Sequence, residues 1–183
     1  MWFERSFFKG RSFFGNQSRN LLKFEAFHYF YNRKSNMTKE ELLNKAIKIA
    51  NRAHKGQTDK FGTPYIGHIM RVMNYGKTYD EKIVGVLHDV IEDCPEITYE
   101  YLLQEGFSNE IVFAIECLTK NPADQDYTEF VKQTERSPLA IAVKLNDLRD
   151  NMDLTRFTKP LTERDFKRLN KYLNAYLYLK EKY

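Results

Sequence analysis

The chain has 183 residues, of which 42% are hydrophobic and 30% charged, which is enough for one globular domain with a buried core. It lacks an apolar run long enough to cross a bilayer and an apolar stretch near its start typical of a secretory signal, so we expect no membrane partner. Cys94 and Cys117 form no CxxC pair, which favours a reducing, cytoplasmic setting.

The net charge of +4 is unevenly distributed along the chain. Residues 1–36 contain seven Lys or Arg and two Asp or Glu, which leaves 22 basic and 23 acidic residues for positions 37–183. Because this longer part is close to neutral, we do not expect it to bind nucleic acid through a basic surface.

Residues 1–36 hold eight of the 14 phenylalanines and show no helical or strand period. We interpret them as an atypical N-terminal extension, derived from an upstream start or an added sequence, and expect the globular domain to occupy residues 37–183. Two alternatives remain open, a basic aromatic arm that contacts a membrane or a partner, and a targeting peptide.

From Met37 onward, apolar residues recur with a period near 3.6, which predicts helices throughout. Thr38 with Glu41, and Thr162 with Asp165, have the spacing of capping boxes at the first and last helix starts. The helical segments are expected near residues 42–50, 66–73, 83–91, 98–105, 109–119, 125–135, 138–152 and 161–182. No alternating strand run is present, so the predicted fold is all-α, a compact multi-helix bundle.

The stretch GVLHDVIEDC, residues 85–94, combines an apolar helical face with a polar one. His88 should lie beside Glu92, and Asp89 beside Asp93, because helical residues three or four apart are neighbours. Gly85, one turn earlier, is expected to leave open space above this polar face.

Three carboxylates this close repel one another in a partly buried site, and a divalent metal ion would remove that cost. The adjacent His88 and Asp89 offer one nitrogen and one oxygen ligand, a combination suited to Mn²⁺, Fe²⁺ or Zn²⁺. The alternative is a purely structural hydrogen-bonded pair, with Glu92 and Asp93 at an exposed helix end.

Two ligands are too few for such a site, so other helices must supply the rest. His68 lies in a helix whose other residues face a core, and the incomplete metal site favours a ligand role for it. The segment AVKLNDLRDNM offers Asp147 and Asp150 as carboxylate ligands. We select Asp147, since Asp150 lies on a different face and could equally be solvated.

The order His68, His88–Asp89, Asp147 is the pattern of the HD phosphohydrolase superfamily. The motifs AHKGQTDKFGTPYIGH, VLHDVIED, LTK and VKLNDLRDN resemble successive signatures of the RelA/SpoT-type (p)ppGpp hydrolase domain, across most of residues 45–155. The resemblance implies an all-helical HD-domain fold and one divalent ion, usually Mn²⁺, held by these four side chains.

The same resemblance implies that Glu92 and Asp93 are the catalytic pair that positions or deprotonates the attacking water. It implies that Lys60, Lys144 and Asn151 contact the nucleotide or support the site. The family reaction removes pyrophosphate from the 3′ position of a guanosine tetra- or pentaphosphate. The predicted function is therefore metal-dependent hydrolysis of a small phosphorylated nucleotide, with guanosine 3′,5′-bis(diphosphate) as the first candidate substrate.

Asp59 departs from the family pattern, in which an Arg after the GQ motif stacks against the base and attracts phosphate. An Asp there is expected to repel a polyanion, so the substrate can differ while the metal chemistry is retained. The alternatives are a hydrolase of another nucleoside phosphate, a non-catalytic HD module that senses a nucleotide, and a scaffold whose N-terminal arm binds a partner. The sequence predicts no particular oligomeric state.

Overall fold

The computed structural model describes residues 37–120 and 125–183, which belong to one compact unit. The predicted extension, residues 1–36, lies outside the described residues, and the domain boundary at residue 37 therefore stays a prediction. The described ranges contain nine α-helices and two 3₁₀ turns without a β-strand, apart from one isolated bridge between Thr58 and Pro64. The all-α prediction is confirmed.

The helices follow one another closely along the chain. They are α1 (Lys39–Ala53), α2 (Ile66–Tyr75), α3 (Tyr79–Leu87), α4 (Val90–Asp93), α5 (Tyr99–Gln104), α6 (Asn109–Leu118), α7 (Tyr127–Gln133), α8 (Pro138–Asn151) and α9 (Glu163–Lys182). The 3₁₀ turns are Thr134–Arg136 and Leu154–Arg156. None of the helices in the described ranges is both long enough and apolar enough to span a membrane.

Side-chain caps define the first and last helix starts as the sequence predicts. Thr38 accepts a hydrogen bond from the backbone of Glu41, whose side chain bonds back to the Thr38 amide. Thr162 and Asp165 form the same reciprocal pair at the start of α9. Each pair satisfies backbone amides that have no partner inside the helix, and so fixes where the helix begins.

Helix α3 lies at the centre of the bundle, packed against α1, α2, α6 and α8. Its apolar residues, Ile83, Val84, Val86 and Leu87, are completely buried. A second, smaller apolar cluster joins α7, α8 and α9 through Val131, Leu148, Ala175 and Leu179. The long helix α9 therefore attaches to the bundle mainly through α8.

Gly85 marks a close crossing of α3 and α2. A β-carbon at this position would lie 3.3 Å from Cα and 3.4 Å from the backbone nitrogen of Met73. The expectation of open space at Gly85 is therefore wrong, because its missing side chain lets two helix backbones approach. This approach brings the rings of His68 and His88 to a centroid separation of 5.4 Å.

The helix predicted through residues 83–91 is interrupted at His88 and Asp89. Nδ1 of His88 lies 2.8 Å from the Gly85 carbonyl oxygen. In a continuous helix the Asp89 amide would donate to that same carbonyl, so the side chain competes with the backbone ladder. Asp89 has φ −105° and ψ −4°, close to the sparsely populated bridge region of backbone conformation in which many active-site residues lie. Helix α4 then begins a new, short turn.

Candidate metal centre

His68 and His88 both direct Nε2 toward the same point between α2, α3 and α8. Nδ1 of His68 lies 2.7 Å from Oδ2 of Asp150, and Nδ1 of His88 lies 2.8 Å from the Gly85 carbonyl. Since a carbonyl oxygen can only accept, Nδ1 of His88 carries a proton, which leaves Nε2 as the nitrogen available to a metal ion. That Nε2 is buried, and its near neighbour among the described residues is Oδ2 of Asp89 at 3.0 Å, which is not aligned for a hydrogen bond; a nitrogen and an oxygen so placed can share a metal ion.

Two carboxylates complete this group of donor atoms. Oδ2 of Asp89 lies 3.0 Å from Nε2 of His88 and 3.9 Å from Nε2 of His68. Oδ1 of Asp147 lies 3.4 Å from Nε2 of His68 and 3.9 Å from Nε2 of His88. Ligands bonded at about 2.1 Å to one ion lie roughly 3–4 Å from each other.

The structure therefore brings together all four predicted ligands, from three separate parts of the chain. His68, His88 and Asp89 offer ligand atoms within 4.8 Å of one another, which defines a possible His–His–Asp metal site. Asp147 adds an oxygen at its edge. Both imidazoles are buried, at 4% and 3% exposure, so the donor atoms are shielded from bulk water.

The electrostatics of this group favour a positive charge at its centre. Burial would lower the pKa of His68, but hydrogen bonds with Asp147 and Asp150 outweigh it and raise that pKa to about 9. The pKa of Asp89 is held well below its usual range by His88 and His68, against the effect of burial. A divalent cation that displaced the protons of the two imidazoles would supply the positive charge at the centre of this group.

Asp150 is fully buried, so the expectation that it could equally be solvated is wrong. Its carboxylate accepts hydrogen bonds from Nε of Arg71 and Nη1 of Arg156, both at 2.5 Å, as well as binding His68. Such a carboxylate orients a metal-bound histidine and strengthens it as a ligand. The sequence did hold a signal, because Asp150 lies three residues after Asp147 and is its helical neighbour.

Lys144 and Asn151 lie directly against the predicted ligand Asp147. Nζ of Lys144 donates to Oδ2 at 2.9 Å, and Nδ2 of Asn151 donates to Oδ1 at 2.6 Å. Lys144 is only 8% exposed, and the Asp147 carboxylate raises its pKa despite that burial. These two residues, predicted to contact nucleotide or support the site, are placed to hold Asp147.

Tyr65 also contacts the candidate metal centre, and it is not among the site residues that the sequence predicts. Its hydroxyl donates to Oδ2 of Asp89, and its ring packs against His54 and His68 with centroids 5.1 and 5.4 Å away. Burial and the Asp89 charge raise its pKa, so the hydroxyl remains a donor. No spacing rule in the sequence pointed to this contact.

Glu92 and Asp93 stand on exposed positions of α4, one turn beyond the His–Asp pair. Oε1 of Glu92 accepts from the backbone amide of Lys120 at 2.5 Å. Oδ2 of Asp93 lies 3.5 Å from Nδ1 of the buried His54. Partial desolvation and the charge of Asp89 raise the pKa of both carboxyls.

The Asp59 carboxylate accepts hydrogen bonds from its own loop and from Arg156. Its carboxylate accepts from the Phe61 amide at 2.8 Å, from the amide and hydroxyl of Thr63 at 3.1 and 2.8 Å, and from Nη2 of Arg156 at 2.5 Å. The side chain is 7% exposed. Because Arg156 compensates its charge, Asp59 repels a polyanion less than its sequence position indicates.

Lys60 projects from the same loop toward the end of α8. Its Nζ lies 3.4 Å from the Asn151 carbonyl oxygen and 4.9 Å from the centroid of the Phe61 ring. Burial, Arg168 and Arg156 lower its pKa. The predicted substrate residue Lys60 therefore lies near Asn151, and within the described residues it forms no hydrogen bond or salt bridge with the four candidate ligands.

Comparison with known proteins supports the RelA/SpoT-type resemblance, although no family model matches the chain. A guanosine-3′,5′-bis(diphosphate) 3′-pyrophosphohydrolase of Aquifex aeolicus is 28% identical over 123 residues, 61% of this chain and 17% of the relative. A protein of the same name from Borreliella burgdorferi is 29% identical over 145 residues, 77% of this chain and 20% of the relative.

A probable GTP pyrophosphokinase of Mycobacterium leprae is 27% identical over 147 residues, covering 74% of this chain and 18% of that protein. The chain thus spans about a fifth or less of the length of these curated relatives. The predicted resemblance to RelA/SpoT-type (p)ppGpp hydrolases is confirmed by these relatives.

Proposed function

We propose that the chain is a metal-dependent phosphohydrolase of a small phosphorylated nucleotide, with guanosine 3′,5′-bis(diphosphate) as the first candidate. Water would attack the phosphorus attached to the 3′ oxygen, so that this oxygen leaves with guanosine 5′-diphosphate and pyrophosphate is released. The observation that carries the proposal is the convergence of two imidazole nitrogens and two carboxylate oxygens, each nitrogen within 3.9 Å of both oxygens. The names of two relatives support the substrate class.

His68, His88, Asp89 and Asp147 would hold one divalent ion. Their nitrogen and oxygen donors suit Mn²⁺, which we favour, as well as Fe²⁺ and Zn²⁺. When bound, such an ion lowers the pKa of a coordinated water and polarises a phosphoryl oxygen.

The chain's own side chains would carry the rest of the reaction. Glu92 and Asp93, one helical turn from Asp89, orient the attacking water and accept its proton. Lys144 and Asn151 keep Asp147 in place. Lys60, on the loop between α1 and α2, would place its ammonium group near a phosphate of the substrate. A reducing, cytoplasmic setting, favoured by the free cysteines at 94 and 117, belongs to the same proposal.

The decisive assay loads the purified full chain with Mn²⁺ and offers a panel of nucleotides that includes (p)ppGpp. Pyrophosphate and phosphate are both measured, because their ratio identifies which bond breaks. Release of pyrophosphate from the 3′ position supports the proposal, and release from another nucleotide keeps the hydrolase but changes its substrate. Nucleotide binding without any turnover would contradict hydrolysis and support a sensing module.

A further inference from the structure

Helix α9 carries a row of exposed apolar side chains. Phe166, Leu173 and Leu177 are 54%, 43% and 53% exposed, although all three are large and apolar. At about 100° per residue, they lie within about 40° of one another around the helix axis. Ala175 and Leu179, which pack into the small apolar cluster with α7 and α8, lie on roughly the opposite side of α9. The row therefore faces away from that cluster, and a second helix can approach it from outside.

The spacing of this row is that of a coiled-coil seam. Positions 166, 170, 173, 177 and 180 follow one another at alternating intervals of four and three residues, and they hold Phe, Asn, Leu, Leu and Lys. Asn170 and Lys180 are exposed like their apolar neighbours. Polar side chains in a seam cost stability but fix which residues face each other. The apolar and polar positions together define a pattern that a matching helix must satisfy.

The pattern of the seam matches itself when two copies of α9 run antiparallel. With a two-fold axis level with residue 175, Leu173 meets the partner's Leu177, and Leu177 meets the partner's Leu173. Asn170 then meets the partner's Lys180, so that a polar side chain faces a polar one. The two-fold axis generates each of these contacts twice. Apolar positions are thereby paired with apolar ones along the seam.

The side chains on one flank of the seam have complementary charges in this pairing. Lys167, Asn174 and Glu181 each follow a seam position by one residue and lie on the same flank. The antiparallel pairing places Lys167 beside the partner's Glu181, and Glu181 beside the partner's Lys167. A parallel pairing would instead set Lys180 against the partner's Lys180, where like charges repel. Charge complementarity therefore favours an antiparallel second copy.

Lys167 is available for such a contact. Its Nζ lies 2.8 Å from Oε1 of Glu163 on the same helix, but the two side chains are 77% and 84% exposed. An ion pair this exposed contributes roughly 0–1 kcal/mol, so Lys167 can exchange it for a contact with a partner at little cost.

The other flank of the seam is apolar and aromatic. Leu169, Tyr176 and Tyr183 lie there, and the last of these is 61% exposed. The same two-fold axis places Leu169 beside the partner's Tyr183, and Tyr176 beside the partner's Tyr176. Aromatic rings bury large areas and are enriched at interfaces, so this flank would add contact area to the seam.

We propose that α9 is the interface of a two-fold symmetric dimer, in which the helices of two copies of the chain pack antiparallel along this seam. Because the interface rests on one pair of 20-residue helices, we expect a weak dimer with a Kd of about 1–100 µM. The occupant is a second copy because the apolar, polar and charged positions match when α9 is paired with itself. The inference is independent of the proposed function, since neither a metal ion nor a nucleotide takes part.

Sedimentation equilibrium of the full chain tests the dimer. The weight-average mass should rise from 21.8 kDa toward twice that value as the concentration increases from about 1 to 300 µM. Leu173→Glu should keep the mass of one chain throughout, because a carboxylate would be buried against the partner's Leu177. Leu154→Glu is the matched control at a leucine that is 57% exposed outside α9, and it should associate like the wild type.

Charge reversal tests the antiparallel register. Lys167→Glu and Glu181→Lys should each raise the dimer Kd by roughly tenfold at low salt, because each places like charges side by side twice in the dimer. A variant with both changes should have a Kd within about threefold of the wild type, since the exchange restores both pairs. Such recovery would not follow from a merely local effect of either change on α9.

A wild-type chain that keeps the mass of one chain at about 300 µM would overturn the inference. A dimer that persists in Leu173→Glu would also overturn it, because the interface would then lie elsewhere. Additive weakening in the variant with both charge changes would contradict the antiparallel pairing. Failure of the nucleotide assay would leave these measurements unaffected, so the two proposals can fail separately.

Discussion

Each histidine of the candidate metal centre is oriented through its second nitrogen. His68 is held by Asp150, which in turn binds Arg71 and Arg156, and His88 is held by the Gly85 carbonyl. These bonds fix the ring planes before any ion arrives, so metal binding needs little further ordering.

We expect Asp150→Asn to weaken Mn²⁺ binding by roughly 10–100-fold, because an amide orients His68 without supplying the negative charge that strengthens it as a ligand. Isothermal titration calorimetry with Mn²⁺ measures the affinity. Asp80→Asn, which removes only a surface partner of Lys39, is the control and should bind Mn²⁺ like the wild type. Unchanged affinity in Asp150→Asn would show that Asp150 serves only to pair the two arginines.

Glu92→Gln should keep the metal ion and lower the hydrolysis rate by about 10²–10⁴-fold, since the amide cannot accept the proton of the attacking water. Metal content by elemental analysis and pyrophosphate release are measured on the same preparation. His88→Ala is the contrasting variant and should lose the ion itself. Full activity of Glu92→Gln would remove Glu92 from the mechanism.

At the scale of elements, the crossing of α2 and α3 decides where the two histidines meet. The approach depends on Gly85, because the atoms facing it belong to the backbone of α2, which cannot rotate away as a side chain can. The packing of α2 on α3 and the geometry of the candidate metal centre therefore both depend on Gly85.

Gly85→Ala should destabilise the fold by about 1–3 kcal/mol, because the added methyl group forces the helices apart. Urea unfolding measures this free energy, and Mn²⁺ affinity should fall in parallel as His68 and His88 separate. Gly67→Ala is the matched control, since its β-carbon would meet only Nη1 of Arg71, the far end of a flexible side chain. Equal stability of the two variants would disprove the role of close packing at Gly85.

The loop between α1 and α2 is linked to the candidate metal centre through Arg156, which binds both Asp59 and Asp150. Burial opposes ionisation of Asp59, but hydrogen bonds from Thr63 and Phe61 and the charge of Arg156 hold its pKa below the ordinary 3.8. A lowered folded-state pKa contributes stability that is present above pH 3.8 and is lost as the pH falls through the folded-state value.

Asp59→Asn should therefore reduce the free energy of unfolding by about 1 kcal/mol at pH 7, and by less once the wild-type carboxyl is protonated in acid. Denaturant melts of both proteins across the acid range give the difference as a function of pH. A difference that stays constant through this range would mean that the charge of Asp59 is unimportant for the loop.

At the scale of the whole molecule, the four candidate ligands come from α2, the α3–α4 junction and α8, so one ion would link elements far apart in the chain. An ion that binds only the folded state stabilises it by mass action. The metal centre should therefore contribute to the cohesion of the bundle as well as to its chemistry.

Mn²⁺ at about one hundred times its Kd should stabilise the chain by about 2.7 kcal/mol and raise Tm by roughly 5–10 °C. Differential scanning calorimetry with and without Mn²⁺ measures the shift, and EDTA should reverse it. Asp89→Ala should show no shift, because it lacks a ligand. The same shift in that variant would place the ion elsewhere.

The confirmed predictions of the fold rest on interactions between residues that are close in sequence. Helix periods and capping pairs such as Thr38 with Glu41 act between residues a few positions apart, so they are readable in the chain itself. The ordered motifs also identified the four residues that the structure brings together. The predicted roles of the candidate catalytic and substrate residues stay predictions.

Only tertiary structure decided the features that depend on distant partners. Asp150 can be buried because Arg71 and Arg156 compensate its charge. Gly85 is closely packed because the backbone of Met73 lies opposite it. The helix breaks at His88 because the His88 side chain competes for the Gly85 carbonyl. Local spacing determines which residue can occupy a helix face, whereas the cost of burying a charge or a backbone depends on what the rest of the fold places opposite it.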